Sequence, residues 1–301
     1  MAVQVHPEPA RTSRLLSPSQ ILVFPAILLL VSFLVLPLLL IAVYSFYSTD
    51  PVTGLMRPEG TLEQYQRIIS SPIYRRVFFR SLEIAATSTS IALLLAYPVG
   101  YTLGRFVPRR YQPAALLLIL VPFWTSYIVR TYGWIGFLQN GGFLDSVLSL
   151  LLPGRVQLDL LYTRAAVLIG FIHVYMPLII LPIFAVTRSL DTRLLEASAD
   201  LGAPPWRTFW RVTLPLTLPG IVAGGSLFFI AVFGSFVTPQ LLGGTGDLMI
   251  GNLIADQFGE AFNWPFGAAL AIVITLVVLL GLVVLFRFAR LEGFNETAVG
   301  Q

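Results

Sequence analysis

Side chains that commonly carry chemistry are few in this chain and badly spaced for it. Only two histidines occur, His6 in a polar tail and His173 inside an apolar run, which excludes a histidine metal cluster. The absence of cysteine excludes disulfides and thiol chemistry. Lysine is also absent, so no G-x-x-x-x-G-K-[ST] loop can reach the β and γ phosphates of a nucleotide. Any ATP or Mg used must be held by another polypeptide, and no cofactor is expected in this chain. Ser226 follows Gly224-Gly225, but no histidine pairs with it as a base, so the pattern does not support an intramembrane serine hydrolase. His173 reads as a hydrogen-bonded packing residue, with a proton relay as the alternative.

The remaining polar chemistry suits docking and ion attraction. Glu196 to Pro215, EASADLGAPPWRTFWRVTLP, lies between two uncharged apolar runs of 23 residues each, Ala165 to Thr187 and Leu216 to Thr238. Residues Pro239 to Pro265 contain Asp247, Asp256 and Glu260 and no arginine, a net charge of −3 that would attract cations. Trp124, Tyr127, Tyr132 and Trp134 are spaced to offer aromatic faces to ammonium groups. The same aromatics also fit the ordinary interfacial belt of a membrane protein. Asp256 and Glu260 fit contact with a delivering protein as well as contact with solute. Asp247, among Gly243, Gly244 and Gly246, also fits a simple turn.

Composition shows what must position these groups. The chain is 56% hydrophobic and 11% charged with a mean hydropathy of +0.81, which places it in the membrane class. Five charge-free runs stand out: Ile21 to Val43, Pro113 to Val129, Ala165 to Thr187, Leu216 to Thr238 and Phe266 to Phe286. All but the 17-residue Pro113 run exceed the ~20 residues needed to cross a hydrocarbon core. A sixth, Val77 to Gly104, carries Arg80 and Glu83 near its start. The expectation is an all-α membrane protein with six transmembrane helices. Its first run is too long for a signal-peptide core and lacks a small-residue cleavage site, so it reads as an uncleaved span.

Arginines set the orientation. With the N-terminus inside, eleven of the nineteen are cytoplasmic, including the Arg105 to Arg110 turn and the 188 to 211 loop. Arg57, Arg67, Arg75, Arg76 and Arg80 oppose this but lie in the longest external stretch, so N-in, C-in is the better reading. The net charge of +4 reports topology, since no nucleic-acid motif accompanies it.

Outside the first span, Thr61 with Gln64 predicts a capping box opening an amphipathic helix with Leu62, Tyr65, Ile68 and Ile69 on one face, ended near Pro72. Ala92, Ala96, Gly100 and Gly104 form a small-residue stripe at every fourth position, and Gly220 and Gly224 repeat it, so these spans should pack closely on neighbours. Leu190 to Leu201 is a good helix former with Asp191 near its start and Gly202 as a C-terminal cap. Pro204 and Pro205 then begin a second short helix through Trp206 to Arg211.

Glu196-Ala197-Ser198, Gly202 and the Val212-x-Leu214-Pro215 ending resemble the cytoplasmic "EAA" loop of the permease subunits of ABC importers. Ser198 and Val212 depart mildly from the usual Ala and Ile. Pro122 to Trp134, PFWTSYIVRTYGW, and Gly234 to Gly267, GSFVTPQLLGGTGDLMIGNLIADQFGEAFNWPFG, look like the first of the two permeases of spermidine/putrescine importers. The resemblance covers about Val77 to Arg287.

It implies an importer-type ABC permease fold in the bacterial inner membrane, multi-pass. It further implies a pathway for a polyamine shared with a second permease subunit, an ATPase dimer docking on the 188–215 loop, and a periplasmic solute-binding protein. Glu196, Ala197, Gly202, Leu214 and Pro215 would be the ATPase-coupling residues. The chain divides into 1–76 (cytoplasmic tail, first span and periplasmic loop), 77–287 (permease domain) and 288–301 (cytoplasmic tail). Opines, thiamine, ferric iron and phosphonates are solutes of related permeases and remain alternatives, as does a secondary transporter.

Overall fold

A computed structural model describes residues 18–50, 53–151 and 158–297. His6, Arg11, Arg14 and the extreme C-terminus lie outside the described residues. Helix α1 (Pro18–Tyr44) leads to a two-stranded antiparallel hairpin, β1 (Ser48–Thr49) with β2 (Met56–Arg57), pairing Ser48 with Arg57 and Thr49 with Met56. Helices α2 (Glu63–Ser70) and α3 (Pro72–Arg105) follow, then α4 (Gln112–Leu120), α5 (Tyr127–Leu138) and α6 (Phe143–Leu151). The second half holds α7 (Arg164–Tyr175), α8 (Pro177–Ser189), α9 (Thr192–Asp200), α10 (Pro205–Thr208), α11 (Leu214–Phe233), α12 (Val237–Leu242), α13 (Ile250–Phe258) and α14 (Trp264–Thr297).

Four continuous helices are long and apolar enough to cross a membrane: Val23–Tyr44, Pro72–Arg105, Pro205–Phe233 and Trp264–Val284. Two bent pairs raise the number to as many as six, Gln112–Trp124 with Tyr127–Leu151 at 88° and Arg164–Tyr175 with Pro177–Ser189 at 46°. Pro122 and Pro177 stand beside these two breaks, and proline within an apolar run implies a kink or a broken helix. Thr125 and Ser126 are extended between Trp124 and Tyr127, and Thr125 Oγ1 donates back to the Pro122 carbonyl at 2.7 Å. At the second bend Pro177, with no N–H, begins a new helix. The fifth span differs from expectation: its helix stops at Phe233, and Val237–Leu242 is a separate short helix.

The two small-residue stripes converge on one element. A Cβ at Gly100 would lie 2.9 Å from the Ile183 Cγ2, and one at Gly224 would lie 2.9 Å from the Ile179 Cα. Helix α8 is therefore clasped between α3 and α11, with Ala92, Ala96, Ile179, Ile183 and Phe228 among the fully buried side chains. Between apolar helices in lipid there is no water to expel, so close van der Waals contact across small residues supplies the association. Proline 182 sits within α8 and Pro219 within α11, where the crowded neighbours hold the helices despite the missing N–H groups.

Between α1 and α3, Tyr65 Oη donates to Ser45 Oγ at 2.7 Å, Thr49 Oγ1 donates to Asn263 Oδ1 at 2.9 Å, and Arg67 lies 4.7 Å over the Phe266 ring. The predicted capping box does not form, because the residue at the cap of α2 is Leu62 and makes no side-chain hydrogen bond. Thr61 accepts from the Glu63 N–H, whereas the buried Gln64 donates to the Tyr47 carbonyl at 3.4 Å. That bond turns Gln64, Tyr65 and Ile68 inward and leaves Leu62 and Ile69 exposed.

Candidate functional site

The polar segment after α8 folds as a helix, a turn and a second helix. Asp191 caps α9, its carboxylate accepting from the Arg193 N–H at 3.0 Å. Gly202 closes the helix in the left-handed region at φ +78. The Gly202 N–H donates to the Ala199 carbonyl at 2.8 Å and the Ala203 N–H to the Ser198 carbonyl at 3.1 Å, the paired reversed bonds of a Schellman ending. Pro204 and Pro205 then open α10. The Ser198 and Thr208 hydroxyls share a hydrogen bond of 2.8 Å that ties the two helices together.

This second helix does not stop at Arg211. It runs through a wider turn of π type, Phe209–Thr213, straight into α11, so Pro205–Phe233 is one continuous rod from the Gly202 turn into the bundle. Tyr97 of α3 meets it, with its ring 5.9 Å from that of Phe209 and its hydroxyl 3.0 Å from Thr217 Oγ1. The α10 helix is thereby continuous with α11 and in contact with α3.

The sequence-predicted coupling residues split into two groups. Glu196 and Ala197 are exposed on α9, and Gly202 is exposed at the turn. Leu214 and Pro215 are half-buried in the first turn of α11. No residue of α9 is buried, and Leu201, Trp206 and Trp210 stand 88%, 67% and 61% exposed. Exposed large apolar side chains in the same helix–turn–helix segment as an exposed carboxylate suit contact with a protein partner.

The four aromatics do not form one cluster, because the 88° bend falls between Trp124 and Tyr127. Trp124 and Tyr132 are exposed. Tyr127 points inward, its hydroxyl 2.9 Å from Ser235 Oγ and 2.6 Å from Thr238 Oγ1, with its ring 5.8 Å from that of Tyr175. Trp134 Nε1 donates to His173 Nδ1 at 3.1 Å, which gives His173 a hydrogen-bonded packing partner.

Among the acidic residues, Asp247 accepts from Arg164 Nε at 3.4 Å and from the Gly244 N–H at 3.2 Å, while its own N–H donates to the Gly244 carbonyl. It thus sits in a tight turn, and Arg164 also pairs with Glu83 at 2.7 Å. Asp256 is half-buried on α13 and Glu260 is exposed just beyond it. Among the described residues no three His, Asp or Glu side chains gather as metal ligands.

Sequence reasoning placed Arg130 at the outer edge and Arg164 outside, without partners for either. Arg130 lies three residues beyond the start of α5, inside the broken third span. Its guanidinium stands 5.3 Å over the Phe123 ring, and its Nε is buried without a hydrogen-bond partner. The interruption of an apolar stretch by one arginine was the available signal.

Comparison with known proteins identifies the class. Residues 73–292 match the family described as "Binding-protein-dependent transport system inner membrane component". The chain belongs to this family and is a multi-pass inner-membrane permease of an ABC importer. It is 38% identical over 262 residues to the spermidine/putrescine transport system permease protein PotB of Escherichia coli (strain K12), covering 87% of this chain and 94% of that one. The fold is similar to that of a bacterial ABC transporter involved in the import of the acidic polysaccharide alginate, with a TM-score of 0.71 at 17% identity over 90% of this chain and 94% of that one. The alginate transporter solved with its pentasaccharide-bound periplasmic protein gives a TM-score of 0.69 at 16% identity, covering 90% and 93%.

Proposed function

We propose that this permease imports a polyamine, spermidine or putrescine, as one of two permeases driven by a separate ATPase dimer and supplied by a periplasmic binding protein. The mechanism rests on the exposed α9 and α10 pair running as a continuous helix into the bundle. The solute rests on 38% identity to a spermidine/putrescine permease across nearly the whole of both chains.

The ATPase pair binds ATP and Mg and receives α9 and α10 in a surface cleft, with Glu196 facing a basic side chain. When the ATPases close, α9 and α10 move together, because Ser198 and Thr208 join them. The Pro205–Phe233 rod then carries the motion into the α3 and α11 packing. Rocking of the two permeases alternates access to the pathway between them. The chain would divide into 1–76 (cytoplasmic tail, first span and periplasmic loop), 77–287 (the permease domain that moves) and 288–301 (cytoplasmic tail). Asp256, Glu260, Trp124 and Tyr132 offer exposed or half-exposed groups for the binding protein or for an ammonium group.

The test is solute-dependent ATP hydrolysis by the complete complex reconstituted with its binding protein, comparing spermidine and putrescine with thiamine, ferric iron, an opine and a phosphonate. Stimulation by the polyamines alone supports both solute and mechanism. Stimulation by another solute alone overturns the polyamine reading and keeps the importer. Solute uptake that proceeds without ATP overturns the mechanism.

A further inference from the structure

Where α3, α11 and α14 meet, the surface of the spanning helices is hollowed into a groove of about 480 Å³. Its walls include Leu82 and Leu93 of α3, Phe229 and Ile230 of α11, and Val278 and Leu282 of α14. The two hydroxyl-bearing residues in the walls are turned into their own helices, Thr89 Oγ1 donating to the Ala85 carbonyl at 2.7 Å and Ser226 Oγ to the Val222 carbonyl. No charged side chain lines the groove, so a polyamine finds no counter-charge in it.

All three helices belong to segments long and apolar enough to cross a membrane, so the groove opens onto bilayer hydrocarbon. An apolar hollow left empty forfeits dispersion contacts along its walls, which favours filling it with hydrocarbon. On α11 the wall runs from Ile221 to Phe233, roughly 18 Å of helix, close to the ~15 Å of hydrocarbon in one leaflet. Spread over that length, the volume corresponds to a cross-section of roughly 27 Å², well below the ~80 Å² of a helix 10 Å across. One extended chain fits such a slot and a further helix does not.

The same face of α3 leads to a cation. Arg75, Phe79 and Leu82 stand at i, i+4 and i+7, and Thr89 and Leu93 continue that spacing, so all five share one side of the helix. Phe79 is 64% exposed and Arg75 is exposed, while the ion pairs among the described residues engage Arg57 and Arg164. Helix α3 has 34 residues, roughly 51 Å, so its ends pass beyond the ~30 Å hydrocarbon core. Arg75, in its first turn, thus stands at headgroup depth.

We propose that this groove holds one acyl chain of a membrane phospholipid whose phosphate is bound by Arg75. The guanidinium fork matches phosphate oxygens, and the chain runs past Phe79 and Leu82 toward Leu93. It fills the gap between α14 and the α3–α11 pair and acts as a structural element of the subunit.

The test uses the complete importer in vesicles of phosphatidylethanolamine and phosphatidylglycerol that contain a phosphatidylglycerol with a diazirine in one acyl chain. After irradiation, labelled peptides are mapped by mass spectrometry. Helix α1 is the internal reference for ordinary bilayer contact, because its Leu30, Phe33 and Leu34 are 73%, 79% and 68% exposed. Label per residue in 221–233 and 277–282 is expected to exceed that in α1 about fivefold or more, as for a site with its own affinity. Gly281 borders the groove with nothing within 4 Å of an added Cβ, so Gly281→Phe fills the groove without a clash and should bring its label down to the α1 level. Arg75→Gln should lower the groove label several-fold and leave the α1 label unchanged.

Groove labelling no higher than that of α1 in the parent protein overturns the proposal, whatever the variants do. Undiminished labelling in Gly281→Phe overturns the placement of the chain, and undiminished labelling in Arg75→Gln overturns the phosphate contact. A benzoylphenylalanine at Val277, in the groove wall, should give a lipid adduct; an adduct with another permease copy or subunit overturns the proposal in favour of a protein contact. These readouts use neither solute nor ATP, so they stand or fall separately from the polyamine reading.

Discussion

The packed seam between α8 and α11 and the exposed turn after α9 each depend on a glycine, for opposite reasons. Gly224 is needed for space, since a Cβ there would lie 2.9 Å from the Ile179 Cα. Gly202 has open space, with nothing within 4 Å of such a Cβ, and is needed for its backbone conformation at φ +78. One region is solid and the other exposed; in the proposed mechanism the exposed one receives a displacement and the solid one transmits it. A transporter driven from outside the membrane requires both, because a force applied to a loose bundle would dissipate before it reached the pathway.

The largest expected effect comes from breaking the solid side. Gly224→Leu forces a side chain into the α8 backbone, with an overpacking cost of about 3 kcal/mol. The variant should be nearly absent from membranes, or show a clearly lowered thermal unfolding midpoint in detergent. A normal amount of stable protein would mean that the seam is looser than its contacts indicate.

Breaking the exposed side should spare the fold and remove the function. Glu196→Arg places like charge against a basic ATPase groove, and repulsion of ~1.4 kcal/mol or more lowers uptake about tenfold. Membrane level and thermal midpoint should match the parent, as expected for an exposed side chain. Normal uptake would sink the docking assignment.

Gly202→Val tests conformation in place of space. A side chain in the left-handed region costs about 1–2 kcal/mol, so uptake should fall several-fold while insertion is retained, and Gly202→Asn should recover much of the loss. The smallest effect is expected from Ser198→Ala, which removes the hydroxyl bond to Thr208. A loss of about 0.5–1 kcal/mol corresponds to no more than roughly a fivefold decline in transport. Read side by side, these variants separate loss of subunit from loss of coupling.

Much of this was legible along the chain. The stripes Ala92, Ala96, Gly100, Gly104 and Gly220, Gly224 marked close-packing faces, and the turn at Gly202 was readable from a helix-forming stretch ending in glycine before two prolines. Those features are local, and local patterns survive in sequence. The four aromatics were harder, because their linear proximity concealed an 88° bend that sends Tyr127 toward Ser235 and leaves Trp124 outside. Arg164 likewise read as one more outer arginine, whereas it joins Glu83 to Asp247, residues far apart in the chain.

By itself, then, the sequence determined the membrane class, the helical composition, the absence of a nucleotide loop and the presence of a polar, helix-forming segment between two apolar runs. Each follows from composition or from a pattern repeated within a few turns of helix. The tertiary structure decided that both small-residue stripes grip the same helix, that the polar helix–turn–helix segment continues unbroken into the bundle, and that Arg130 Nε is buried with no hydrogen-bond partner among the described residues. Those outcomes depend on which distant segments meet, and bilayer packing selects such meetings by shape and charge that no single segment encodes.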